Sequence, residues 1–109
     1  MKLRLFILTV TVTLMSSSLL IGADAAAGKD VFAKKCASCH GAAGEGKEAI
    51  AKMMKVELKH LGSKEVQAKS DADLGKIVLE GAGKMKPVKD LDAKAVGDVV
   101  AFLRTLAKK

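Results

Sequence analysis

Two cysteines and a histidine stand together as Cys36-Ala37-Ser38-Cys39-His40, and the chain has no other cysteine. Three chemistries can use such a string. In covalent haem attachment each thiol adds to a vinyl group and the following imidazole ligates the iron. Two intervening residues on a turn of helix then set the sulfurs along the two vinyl-bearing edges, with the imidazole beneath the ring. A thioredoxin-like redox pair would need a βαβ setting, and no alternation of Val, Ile or Thr surrounds this site. A disulfide across so small a loop would do little to hold a domain, and zinc would need two further ligands, from His60 and a carboxylate. Haem attachment is the reading carried forward.

Composition sharpens it. The 109 residues carry 19 Lys and Arg against 12 Asp and Glu, a charge of +7, and leave room for one domain. The first 25 residues read as an export leader. Lys2 and Arg4 make a short positive region, Leu3 to Ile21 is otherwise apolar with Thr and Ser interspersed, and Ala23-Asp24-Ala25 offers small residues for cleavage after Ala25. The run could just span a bilayer as an uncleaved anchor, but its Thr and Ser content and the Ala-x-Ala site favour removal, and no cysteine follows it to take a lipid. The expected mature domain is 26–109, 84 residues with a charge of +6 once Lys2, Arg4 and Asp24 are gone. That chain has no Trp, no Tyr and only Phe32 and Phe102 as large rigid core pieces. So short and aromatic-poor a chain is marginal by burial alone, and a ring would supply the missing core.

The rest of the mature chain reads as helices and loops, without strand, repeat or low-complexity signals. A first helix over 27–35 turns Val31 and Phe32 inward and delivers Cys36. Gly41 to Gly46 is a loop, and Ile50, Met53, Met54 and Leu58 fit a short helix. Ser63 caps a turn through Gln67, and Ser70 caps a helix carrying Leu74, Ile77 and Val78 that stops at Gly81. Gly81, Gly83 and Pro87 break the chain around Met85. Asp92 caps a last helix with a stripe of Val96, Val99, Val100, Leu103 and Leu106, flanked by Phe102.

These residues resemble a known family. Gly28, Phe32 and Cys36-x-x-Cys39-His40-Gly41, then Gly81-x-Gly83-x-Met85-x-Pro87, then Asp98-Val99-Val100-Ala101-Phe102-Leu103 look like the three signature segments of class I c-type cytochromes. The likeness covers essentially the whole mature chain and is nearest to short bacterial and algal members of the c5, c6 and c-555 kind. It implies an all-α fold of three to five helices around one covalently attached haem c, with His40 and Met85 as the axial pair. It also implies that the first and last helices cross at Gly28, with Phe32 against Val99 and Phe102. Two departures stand out. Lys86 separates Met85 from Pro87, whereas family members usually have Met directly before Pro. The family's Pro after the attachment site, whose carbonyl receives the ligand imidazole N–H, is missing, so another carbonyl between Gly46 and Leu61 is expected in that role.

Met85 lies in a glycine-rich loop with no helical stripe to make it a core residue, which favours ligation. Met53 and Met54 read as gap-fillers and His60 as a lightly packed histidine. With both axial positions filled the iron has no open site, which argues for one-electron transfer and against catalysis. The expected protein is a soluble, monomeric electron carrier of the periplasm, or of a lumen-like compartment in a phototroph. It would meet acidic redox partners through Lys34, Lys35, Lys47, Lys84, Lys86 and Lys89, with no nucleic-acid partner and no membrane insertion after cleavage. The alternative is a haem-based sensor with a labile sixth ligand. A small peroxidase is disfavoured, because no distal His and Arg pair is legible.

Overall fold

A computed structural model describes residues 23–108. The apolar run of the leader reading lies outside them. The described residues form six helices: α1 (Ala25–Lys35), α2 (Ala37–His40), α3 (Glu48–Met54), α4 (Lys64–Gln67), α5 (Asp71–Glu80) and α6 (Ala93–Thr105). They form no strand beyond an isolated bridge between Ala82 and Met85.

The helix starts follow capping chemistry. The Asp24 carboxylate accepts from the N–H groups of Ala26 and Ala27 at 2.9 and 3.2 Å, and the Ser70 and Asp92 side chains accept from Asp73 and Ala95 at 3.0 and 2.8 Å. Each satisfies an amide that the helix leaves without a partner. Ser63 caps α4 more loosely, at 3.4 Å from the Val66 nitrogen. Lys34 and Lys35 close α1 on the side its dipole favours.

Helices α1 and α6 make the frame. Gly28 and Phe32, one turn apart, are the buried residues of α1. Phe32 meets Phe102 with ring centroids 5.1 Å apart and planes tilted by 54°, a favourable aromatic geometry. Around the pair lie Cys36, Val99 and Leu103, with Val31, Leu61 and Leu106 at the margin. Phe102, expected on the flank of the α6 stripe, faces this core directly. A second cluster joins Val66 and Leu74 to Val100 of α6.

Polar latches that the residue pattern does not reveal tie α4 and α5 to α6. The Arg104 guanidinium donates to the carbonyls of Gln67 at 2.9 Å and Lys69 at 2.6 Å and to the Asp71 carboxylate at 2.9 Å. The Gln67 side-chain amide donates in turn to the carbonyls of Leu61 and Leu103, both at 2.9 Å.

Candidate functional site

The site is built around the end of α1. Cys36 leaves helical geometry at φ −120° while its N–H still donates to the Phe32 carbonyl at 2.9 Å, so the buried thiol stays fixed to the α1–α6 core. Ala37 to His40 then form a single turn, α2. The chain leaves it at Gly41 with φ +80° and folds back. The N–H of Gly46 donates to the His40 carbonyl at 2.6 Å and that of Lys47 to the Cys39 carbonyl at 3.0 Å. The glycine-rich stretch is therefore a return loop that holds the Cys-x-x-Cys-His turn from behind. Within it the exposed Glu45 carboxylate accepts from the Ala43 N–H at 3.0 Å, and backbone N–H groups keep it below the usual carboxylate range.

The second wall comes from the segment after α5. Gly81 ends that helix at φ +78°, and a Cβ there would stand 2.5 Å from the Met85 carbonyl oxygen and 3.0 Å from the Pro87 ring. Only glycine fits such a crossing. Ala82 and Met85 then exchange N–H to carbonyl bonds of 3.1 and 2.9 Å around Gly83 and Lys84, making a tight turn. The Val88 N–H returns to the Val78 carbonyl at 2.9 Å, which anchors the far side of the turn to α5. Met85 is thus held on a closed and doubly tied loop, half-buried.

Between these walls lies a cleft of about 620 Å³, and Cys36, Cys39, His40 and Met85 all line it. Met54, Val56, Leu58, Pro87 and Val88 supply apolar lining, and Lys35, Lys84, Lys86 and Lys89 stand around it. Lys34 and Lys47, the other two lysines of the expected rim, do not line the cleft. Lys84 is also a strut, because its ammonium donates to the Met54 carbonyl at 2.5 Å and so ties the Met85 loop to α3.

Both thiols are free, and burial pushes that of Cys36 up. Burial also pulls the His40 imidazole below its usual value, which favours the neutral, ligating form. Its Nδ1 is buried and has no hydrogen-bond partner among the described residues. The carbonyl expected from the 46–61 stretch does not reach it. A half-buried imidazole beside two free thiols, lining an apolar cleft whose other wall carries a thioether, fits a large flat metal-bearing ring.

The other candidates separate clearly. Met53 is 70% exposed and fills no gap, whereas its neighbour Met54 lines the cleft. His60 stays away from the cleft, its Nδ1 accepting from the Gly62 N–H at 2.8 Å. Among the described residues no group of three or more His, Cys, Asp or Glu side chains is gathered so as to hold a lone metal ion.

The family model for cytochrome c matches residues 25–107. The chain belongs to the cytochrome c family. A search of curated proteins finds no match. Among solved structures the cytochrome is similar to one described as KustC0563 c-type cytochrome, with a TM-score of 0.63 and 24% identity, covering 74% of this chain and 98% of that one. At that identity the likeness speaks for the fold alone, and it agrees with the all-α architecture. Family membership makes the protein a c-type cytochrome with covalently attached haem c, of a kind typical of electron transfer. None of the helices described in this cytochrome is long and apolar enough to cross a membrane.

Proposed function

We propose that this cytochrome is a one-electron carrier working outside the cytoplasm, in the periplasm or an equivalent lumen, with Cys36 and Cys39 as the thioether anchors and His40 and Met85 as the axial ligands. The observation that carries the reading is that the two thiols, the imidazole and the thioether line one cleft, on two walls that are each fixed to the helical frame. When bound, haem c supplies a one-electron iron couple. The chain's own part is to hold that couple in an apolar enclosure. Rigid walls keep the ligand set the same in both oxidation states, so little has to move when an electron arrives or leaves. A thioether donor and burial both favour the ferrous state and raise the potential relative to two imidazoles.

The lysines around the cleft support docking to redox proteins with acidic surfaces, by raising encounter rates rather than by tight binding. A monomer suffices for this role. The sensor alternative requires a weak or absent sixth ligand, and the doubly tied Met85 loop favours a firm one.

Acid-acetone extraction of the purified holoprotein is expected to leave the haem on the polypeptide, and release of free haem would remove the thioether assignment. The oxidised protein is expected to show the weak long-wavelength band of iron bound to thioether sulfur. Met85→Ala should abolish that band and lower the potential, while Met53→Ala and Met54→Ala keep it. Persistence of the band in Met85→Ala, or rapid stoichiometric binding of carbon monoxide to the reduced wild type at neutral pH, would overturn the axial assignment.

A further inference from the structure

We propose that the exported chain is cut between Ala23 and Asp24, and that the α-ammonium group so created on Asp24 forms an ion pair with the buried carboxylate of Asp98. The proposal rests on the export reading given above. Read as a string, Ala23-Asp24-Ala25 puts the cut two residues later, after Ala25. What Asp24 does in the fold argues for the earlier bond.

Asp24 has four hydrogen bonds to lose. Its carboxylate accepts from Ala26 and Ala27 at 2.9 and 3.2 Å, its carbonyl accepts from the Gly28 N–H at 2.9 Å, and its own nitrogen donates to Asp98 Oδ1 at 2.7 Å. A cut after Ala25 removes all four. Helix α1 would then begin inside its own first turn, with no cap. The Asp98 side chain, on a residue 4% exposed, would be left with one partner, the Lys94 ammonium at 2.8 Å on Oδ2. A buried carboxylate that loses half of its donors bears a desolvation cost with nothing to offset it.

A cut after Ala23 keeps every one of these contacts and strengthens the last. Ala23 and Asp24 are exposed and precede α1, whereas Ala25 and Ala26 are its first two residues. Ala23 still offers a small residue before the cut, with Ile21 in place of the second. Hydrolysis by the leader peptidase breaks the amide bond between the Ala23 carbonyl carbon and the Asp24 nitrogen. The hydroxyl of water goes to that carbon, which leaves as a carboxylate, and protons from water and solvent complete the ammonium on Asp24. The atom already 2.7 Å from Asp98 Oδ1 thereby gains a full positive charge, and charge-assisted bonds are roughly twice as strong as neutral ones. A positive terminus at the start of a helix opposes the helix dipole, but here the Asp24 and Asp98 carboxylates stand against it.

The test uses the full chain with its own leader, expressed alongside cytochrome maturation machinery and read by N-terminal sequencing and intact mass of the holoprotein. A mature chain beginning at Asp24 is expected. One beginning at Ala26, or at any other residue of a processed chain, overturns the cleavage proposal and leaves export standing; a chain that retains Met1 overturns both. Holoproteins beginning at Ala23, Asp24 and Ala26 are then melted at neutral pH, with the Asp24 form expected to melt highest. In an Asp98→Asn background the gap between the Asp24 and Ala23 forms should close. A gap that is absent in the wild type, or that survives in Asp98→Asn, overturns the ion pair.

Discussion

The backbone of Asp98 lies so close to Gly28 that a Cβ built on Gly28 would stand 1.9 Å from the Asp98 carbonyl oxygen and 2.4 Å from its carbon. The obstructing atoms are backbone, in the middle of α6, and cannot turn aside as a side chain would. The crossing of α1 and α6 therefore exists only with glycine at this position. One turn further along α1, Phe32 meets Phe102, and Cys36 follows one turn beyond Phe32. The crossing thus sets where the first thiol stands.

Gly28→Ala is expected to push the two helices apart at that point. The cost should reach the upper end of the overpacking range, about 3 kcal/mol, which for a domain of this size lowers Tm by roughly 12–24 °C. Thermal unfolding of the holoprotein followed by circular dichroism measures it. A loss of only a few degrees would mean that the helices cross further apart than described.

Arg104 is the hub that pins the α4–α5 connection to α6. Arg104→Ala should cost about 1.5–3 kcal/mol, the worth of hydrogen bonds from a charged donor, and Arg104→Lys should recover little, because an ammonium cannot reproduce the planar fork that spans Gln67 and Lys69. Asp71 is 75% exposed at its side chain, so Asp71→Asn should cost less than about 1 kcal/mol. Urea unfolding of the three variants gives the ranking; an Asp71 effect as large as that of Arg104→Ala would contradict it.

Asp98 should contribute to acid sensitivity. The Lys94 ammonium, and after it the Asp24 N–H, hold its carboxyl below the usual carboxylate range. Its folded value lies below its unfolded one, about 3.9. Its contribution is therefore complete above that unfolded value and is lost as pH falls through the folded value. Urea midpoints of wild type and Asp98→Asn should differ near neutrality and draw together below pH about 4. A difference that persists unchanged into acid would show that the charge is not what matters.

The lysines around the cleft should steer encounter with an acidic electron acceptor. Lys84 is a poor probe, since its ammonium already serves the Met54 carbonyl and its removal would also loosen the cleft. Lys86→Glu with Lys89→Glu is the cleaner pair. In stopped-flow electron transfer it should lower the association rate by about tenfold or more, against a small change for Lys64→Glu with Lys69→Glu on α4 and the turn after it. The wild-type rate should fall steeply as salt shortens the screening length to about 8 Å. Equal effects of the two pairs would leave the charge with no preferred face.

Much of this protein is local in its chain, and local features are legible from residues. Asp92, Ser70 and Ser63 announce the starts of α6, α5 and α4 because a cap bonds amides two or three residues away. Gly81 announces a stop because its backbone leaves the helical region. The Cys-x-x-Cys-His string carries its own geometry, and Met85 among its glycines stands out because nothing nearby explains it as core. Some features joined residues far apart in the chain, and no spacing rule reaches them. The carbonyl of Asp98 against Gly28, the Asp24 nitrogen on the Asp98 carboxylate, Arg104 gathering Gln67, Lys69 and Asp71, and Lys84 bridging to Met54 all depend on where two separate elements pass. A single-chain pattern records which faces are apolar. Only the packed helices fix which backbone atoms those faces bring within hydrogen-bonding distance, and at that range a few tenths of an ångström separate a bond from a clash.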